Sequence, residues 1–523
     1  MTKQSFIKGT MILLAAGIIN RILGFIPRIT LPRVIGAEGV GLYQMGWPFL
    51  IVILTFVTGG IPLAVAKLVA EAEAEHNYRR SIRILKLALA LSLSIAGVFT
   101  IVCIAGAKWI TSHLLTDERV YFTFLCMSPI IPLIAVSAVL RGYFQGKQNM
   151  IPTATSQTIE TLVRIVMVLA CSFALLPYGI AWAAAGAMIG VTVGEAAGML
   201  VLLLHYRRQS GKERSISQVQ IGTSARQGRL LHLRRLIKIS LPITASRLAG
   251  AGSYLLESIL IAHSLAAAGI VTAVATAQYG ALQGMIIPII LLPSALTSSL
   301  SVSLVPSLSE AAARKDIQMI HKRMHQSLRL ALVTGGPFAV IMFVLAEPLC
   351  QLMYGQTDIA VMLKMLAPVA IFIYLQAPLQ AALQALDKPG SALVNTLIGS
   401  LVKLLLIVWL ASKPEFGILG AVMASCVNVV LVTLLHGLSV LRHLKFTMRG
   451  IDIAKVTAAM TAASVCCLAV YRAAADQPLW LGFLIASAAA MTAYMIGVTI
   501  LRIVNRSDLA RMLTLGRRLI RKP

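Results

Sequence analysis

Nine ionisable side chains sit deep inside long apolar runs of this sequence: Arg21, Arg28, Arg141, Arg164, Arg247 and Lys403, against Glu160, Glu195 and Glu257. On insertion scales each costs roughly 2.5–3.5 kcal/mol at the centre of a bilayer, so such a group is kept where it faces a cavity or a partner. The excess of cations favours an anionic ligand. A guanidinium stays charged at any physiological pH and holds phosphate through two parallel N–H donors. Glu160 and Arg164 stand four residues apart and pair on one helix face. Arg28 and Arg141 lie close enough to span ends to reach headgroups. Arg21 and Arg247 each follow a small polar residue, Asn20 or Ser246, and neither has an acid within one turn. With Arg164 and Lys403 they are the candidate phosphate-binding groups. Glu195 and Glu257 are candidate sites for a coupling ion.

Other chemistry is poorly provided for. No G-x-x-x-x-G-K-[ST] loop occurs, so ATP phosphates have no P-loop cradle. The seven cysteines lie in or near apolar runs without CxxC spacing, which argues against disulfide frameworks and thiolate metal sites. His321 and His325 stand four apart, but Lys322 and Arg323 beside them would repel a cation. The expectation is a transporter and not an enzyme, with no cofactor and no metal.

These side chains must be carried by membrane helices. The chain has 523 residues, is 58% hydrophobic and 12% charged, and has a mean hydropathy of +0.84. Soluble domains are about 25% charged, so this is a membrane protein. Its net charge of +27 belongs to loops facing anionic lipid and not to nucleic-acid binding. Apolar runs give about fourteen helices, near 8–32, 42–66, 84–106, 120–143, 158–177, 181–204, 237–263, 279–306, 327–347, 361–384, 391–411, 417–441, 454–472 and 480–501. Lys3 and Lys8 precede a run that continues past residue 30, which reads as a retained first helix and not a cleaved signal. Lys and Arg crowd the links after even-numbered spans, whereas the links near 177–179 and 264–278 have none. By the positive-inside rule both termini and the even-numbered loops are cytoplasmic.

Sliding the sequence on itself matches polar positions 239 residues apart: Gln44 with Gln283, Glu71-Ala72 with Glu310-Ala311, Gln145 with Gln384, and Arg164 with Lys403. One residue out of step, Tyr178-Gly179-Ile180 meets Phe416-Gly417-Ile418. Spans one to six therefore repeat as spans seven to twelve. An even number of spans makes the repeats parallel, with a substrate site expected at their interface near the midplane. The expected architecture is an all-α membrane protein of two six-helix lobes around a central cleft, with two extra C-terminal helices. Its segments are an N-terminal lobe (1–205), a basic cytoplasmic linker (206–236), a C-terminal lobe (237–443), two additional helices (444–501) and a basic cytoplasmic tail (502–523). The linker reads as a solvated connector, and the tail fits an amphipathic helix on the membrane surface. A channel or scaffold explains the duplication less well than an alternating-access transporter.

Lys8-Gly-Thr, Asn20-Arg-Ile-Leu-Gly-Phe25, Ile35-Gly-Ala-Glu-Gly-Val-Gly-Leu-Tyr43 and Gly59-Gly-Ile-Pro-Leu-Ala-Val-Ala-Lys-Leu-Val-Ala-Glu71 carry a resemblance. They resemble the polysaccharide-transport branch of the multidrug/oligosaccharidyl-lipid/polysaccharide (MOP) exporter superfamily, in particular the stage V sporulation protein B group, and are similar to the lipid II flippases. The resemblance covers essentially the whole chain. It implies a cell-membrane flippase for undecaprenyl-pyrophosphate-linked saccharides, with lipid II for spore cortex peptidoglycan as cargo and membrane lipids and cell-wall synthesis proteins as partners. It also implies a cavity role for Arg21, which heads the family's Arg-x-Leu-Gly-Phe stretch. The lipid II flippases carry a second cavity arginine two residues after the Phe. Here Pro27 holds that place, and Arg28 follows one step, about 100°, further round a regular helix.

Two other functions fit parts of the sequence. A multidrug or cation antiporter of the same superfamily would couple through Glu195 and Glu257. A membrane-embedded glycosyltransferase would also handle lipid-linked sugars, but it needs a larger external loop than any present here.

Overall fold

The computed structural model describes residues 6–214, 225–446 and 450–503. Most of the expected tail, from residue 504, and the middle of the basic linker lie outside the described residues. Among these, every regular element is helical.

The chain forms two compact units, described separately. The first runs to residue 285 and includes 411–418; the second comprises 286–410 and the rest from 419. The first unit contains α1 (Phe6–Leu23), α2 (Ile26–Met45), α3 (Trp47–Thr58), α4 (Ile61–Ala74), α5 (Tyr78–Trp109), α6 (Val120–Met127), α7 (Ile130–Gly146), α8 (Ile151–Leu175), α9 (Ile180–Arg214), α10 (Ala225–Ala267) and α11 (Thr272–Gly280). The second contains α12 (Ile287–Leu291), α13 (Ser294–Ala313), α14 (Ile317–Val344), α15 (Ala346–Tyr354), α16 (Ala360–Leu366), α17 (Ala370–Ala385), α18 (Pro389–Ala411), α19 (Ile418–Leu444), α20 (Gly450–Ala473) and α21 (Leu479–Ile500).

Among the described residues twelve helical stretches are long and apolar enough to cross a membrane, and the bent pair α16–α17 makes a thirteenth. One of the twelve, Ala15–Ala74, runs 60 residues. Straight, it would reach about 90 Å, against a bilayer core of about 30 Å. It therefore cannot be one straight crossing; the twelve to thirteen candidate spans stand against about fourteen expected. The chain turns within α2 at Gly36, whose φ of +68° and ψ of 178° are open to a residue without Cβ.

The backbone carries the repeat independently of side-chain identity. Non-helical junctions with positive φ recur at the same spacing: His76 and Lys315, Thr116 and Gly355, Gln148 and Asp387, then, one out of step, Gly179 and Gly417. His76 precedes Asn77, which caps α5 by accepting from Arg80 N at 3.0 Å. Lys315 precedes Asp316, which caps α14 by accepting from Met319 N at 2.9 Å. In both cases an Asx side chain takes an orphan amide of the first turn.

The cores follow suit. Val65, Val69, Ala72, Leu85, Leu140, Phe144 and Leu202 share one buried cluster in the first unit. Their counterparts Leu304, Leu308, Ala311, Met324, Leu379, Leu383 and Val440 share one in the second. The added helices α20 and α21 pack on α14, with the Tyr494 hydroxyl donating to Leu332 O at 3.1 Å.

Candidate substrate-binding site

Arg21 lies in the last turn of α1, where the first apolar run breaks at Gly24–Phe25 before α2 begins at Ile26. Pro27 occupies the first turn of α2, where its missing N–H costs nothing. Because the helix restarts there, the 100° offset expected of Arg28 on an unbroken helix does not apply. Arg21 and Arg28 both keep exposed side chains.

Arg247 is held differently from the expectation. The Gly59-Gly-Ile-Pro62 stretch breaks the second span between α3 and α4, with Gly59 at φ 9° and ψ −101°. At that break α10 supplies the partners: Gly60 N–H donates to Thr244 Oγ1 at 3.0 Å, and Arg247 Nη1 donates to Gly59 O at 2.9 Å. Ser240 lies against Gly60 so closely that a Cβ there would strike its backbone. The consecutive glycines followed by proline are the signal that marks such a break. Arg247 remains exposed beyond this bond.

A second group of charges joins three helices. Arg141 Nη2 on α7 reaches Glu160 Oε2 on α8 at 2.6 Å and Glu195 Oε1 on α9 at 3.7 Å. Arg164 Nη1 completes the expected four-residue pair with Glu160 Oε1 at 3.3 Å. Glu160 and Glu195 are buried, whereas the Arg164 side chain is 33% exposed. Arg141, expected to reach headgroups, instead serves two carboxylates. Glu257 is buried on α10, and Lys403 is half-buried on α18 of the second unit.

Outside the spans, the link between α5 and α6 carries an ionic chain. Arg119 pairs with Asp117 at 2.9 Å and with Glu38 of α2, while Thr276 of α11 donates to Asp117 Oδ2 at 2.7 Å. Burial raises the Asp117 pKa, but the bonds from Arg119 and Thr276 outweigh it and hold the carboxyl below its ordinary value. Asp117 in turn pushes the Arg119 guanidinium up. Among the described residues no group of three potential metal ligands forms.

The sequence pattern of the family described as polysaccharide biosynthesis protein matches residues 6–312, more than half the chain. This chain belongs to that family. The MatE pattern matches residues 249–409, in keeping with membership of the MOP superfamily. Over the full length of both proteins, this family member is 41% identical to stage V sporulation protein B of Bacillus subtilis (strain 168). It is 24% identical to lipid II flippase MurJ of the same organism, over 85% of this chain and 84% of MurJ. The solved structure of lipid II flippase MurJ in an inward closed conformation shares its fold, with a TM-score of 0.70 at 17% identity, covering 94% of this chain and 98% of that one. An inward-facing multidrug resistance MATE transporter shares it with a TM-score of 0.65 at 12% identity, over 81% and 94%. The family member is thus a multi-pass membrane protein of the MurJ and MATE fold.

Proposed function

We propose that this protein is a flippase that moves an undecaprenyl-pyrophosphate-linked saccharide, lipid II for spore cortex peptidoglycan, from the inner to the outer leaflet of the cell membrane. The observation that carries this reading is the set of exposed or part-exposed arginines at Arg21, Arg28, Arg164 and Arg247 within the apolar helices. A pyrophosphate needs such groups, because burying its charge without paired donors is prohibitive. The names of the relatives at 41% and 24% identity, a sporulation protein and a lipid II flippase, support the cargo.

The two repeats, with lobes at 1–205 and 237–443, are the natural bodies for alternating access, and Lys403 would add its charge from the second. The polyprenyl tail stays in lipid while the head crosses. Moving it makes or breaks no covalent bond, so no catalytic residue or cofactor is required. The charge bias of the loops supports cytoplasmic termini, and cell-wall synthesis proteins are the partners such a cargo would require.

The MatE match favours a cation antiporter as the second reading. Against it, Glu160 is held by both Arg141 and Arg164, and Glu195 has Arg141 beside it, so this cluster of acids is matched by cations. The test is lipid II flipping in sealed proteoliposomes, native chain against Arg21→Ala and Arg247→Ala. Loss of flipping in either variant, with folding intact, supports the cationic site. Flipping that survives in both removes these residues from it. A folded native chain that fails to flip lipid II under an imposed potential and ion gradients loses this cargo.

A further inference from the structure

Glu195 is the worst-served charge in the cluster on α7, α8 and α9. Glu160 receives Arg141 at 2.6 Å on one oxygen and Arg164 at 3.3 Å on the other. Glu195 is 6% exposed, lies 3.7 Å from an Arg141 already bonded to Glu160, and has the Ser137 hydroxyl as a neutral neighbour, yet its Oε1 accepts no close hydrogen bond. A buried carboxylate oxygen with no donor is expensive to keep ionised.

The fold does not require these charges. In the second repeat, Gln380 stands for Arg141, Gly399 for Glu160 and Thr433 for Glu195, the last in the register that also equates Leu202 with Val440. Helices α17, α18 and α19 form there all the same, with Gln376 Nε2 donating to Thr433 Oγ1 at 3.1 Å. Of the four charges, one cation alone is kept in both repeats, as the half-buried Arg164 and Lys403. The two glutamates and Arg141 therefore belong to a task that the first repeat alone performs.

We propose that Glu195 is a proton-binding site whose occupancy sets the positive charge offered to an anionic cargo at Arg164. This rests on the anionic-cargo reading above. With both carboxylates ionised, the two arginines and two glutamates sum to zero. A proton from solvent on Glu195 Oε1 leaves Arg141 to Glu160 alone, and the cluster gains one positive charge. Arg164 is its most exposed member. Cargo and proton therefore bind with positive cooperativity, and each bound pyrophosphate draws in up to one proton.

The charged groups acting on Glu195 are Arg141 from α7 and Glu160 and Arg164 from α8. The other elements packed on α9 carry Arg28, Arg33, Glu38 and Tyr43 on α2, Tyr121 and Cys126 on α6, and Tyr178 in the preceding turn. None of these is among the groups acting on Glu195.

The test uses the full chain in nanodiscs, with undecaprenyl pyrophosphate as probe, its affinity measured between pH 8 and pH 5. The native chain should bind more tightly as pH falls, by at most about tenfold per unit for one linked proton. Glu195→Gln should bind tightly throughout, retaining only the slope of the probe's own titration, and Arg164→Gln should lose the added slope as well. Proton uptake on mixing native chain and probe in weak buffer gives a reading that needs no variant. Equal slopes in native chain and Glu195→Gln, or no uptake beyond that of the probe, overturn the proposal and leave the cargo standing. A folded native chain that binds no probe at any pH overturns the cargo reading, and this inference with it.

Discussion

Gly41 of α2 lies directly against Gly280 of α11, and the two stand 239 residues apart, at the same place in the two repeats. Two equivalent points of the repeat are thus in direct contact. A Cβ on Gly41 would run into the Thr276 backbone, and one on Gly280 into Ala37 and Gly41. Small residues that let backbones approach are how membrane helices associate without a hydrophobic drive.

Gly41→Ala and Gly280→Ala should therefore each destabilise the protein, by about 1–3 kcal/mol for a methyl forced into a packed contact. Gly250 and Gly252 on α10 have open space around the same position. Alanine there should not destabilise and should add up to about 1 kcal/mol through helix propensity. Thermal unfolding of the four variants in detergent checks this, and equal midpoints for all four would show that the contact carries no stability.

The ionic chain on the link between α5 and α6 ties the same two helices, through Arg119 to Glu38 of α2 and through Asp117 to Thr276 of α11. Asp117 has a folded pKa below its unfolded one. Its contribution is then fully present above the unfolded value of about 3.9 and is lost as pH falls through the folded value. Asp117→Asn should lower stability at pH 7, by about 1–3 kcal/mol for a hydrogen-bonded charge. Its deficit against the native chain should shrink steadily below pH 4. Melting curves from pH 7 to pH 3 decide the matter, and a deficit constant with pH would contradict it.

The spans and the repeat were legible in the sequence because bilayer thickness fixes helix length and because junction residues such as Asn77 and Asp316 hold one backbone geometry twice. The Glu160–Arg164 pair was legible because it is local. What the sequence concealed depends on contacts between helices. Arg141 meets Glu195 across 54 positions of sequence, and Arg247 meets Gly59 across 188. Hydrophobic periodicity says which face of a helix is apolar but not which helix it faces, so Arg141 read as a headgroup contact.

Removing Arg141 should be worse than removing what it holds. Arg141→Ala leaves Glu160 with Arg164 alone and the buried Glu195 without a cation, a loss of about 3–5 kcal/mol for an uncompensated buried charge. The combination Arg141→Gln, Glu160→Gln, Glu195→Gln has no such charge, and it approaches the uncharged choice made by the second repeat. It should melt well above Arg141→Ala. A triple variant no more stable than the single one would mean that packing at position 141, not charge, sets the cost.

Orientation can be read from two positions of opposite expected side. Val271 is 69% exposed in the link between α10 and α11, which lacks Lys and Arg. His76, exposed as well, joins α4 to α5 beside Arg79 and Arg80. By the positive-inside rule the charge excess at the second link should hold it on the cytoplasmic side, because Lys and Arg near span ends resist translocation. In a background with all seven native cysteines replaced, Val271→Cys should react with a membrane-impermeant maleimide in intact cells. His76→Cys should react only after the membrane is opened. The reverse pattern would invert every leaflet assignment in the transport scheme, and with it the direction in which Arg21 and Arg247 would receive their cargo.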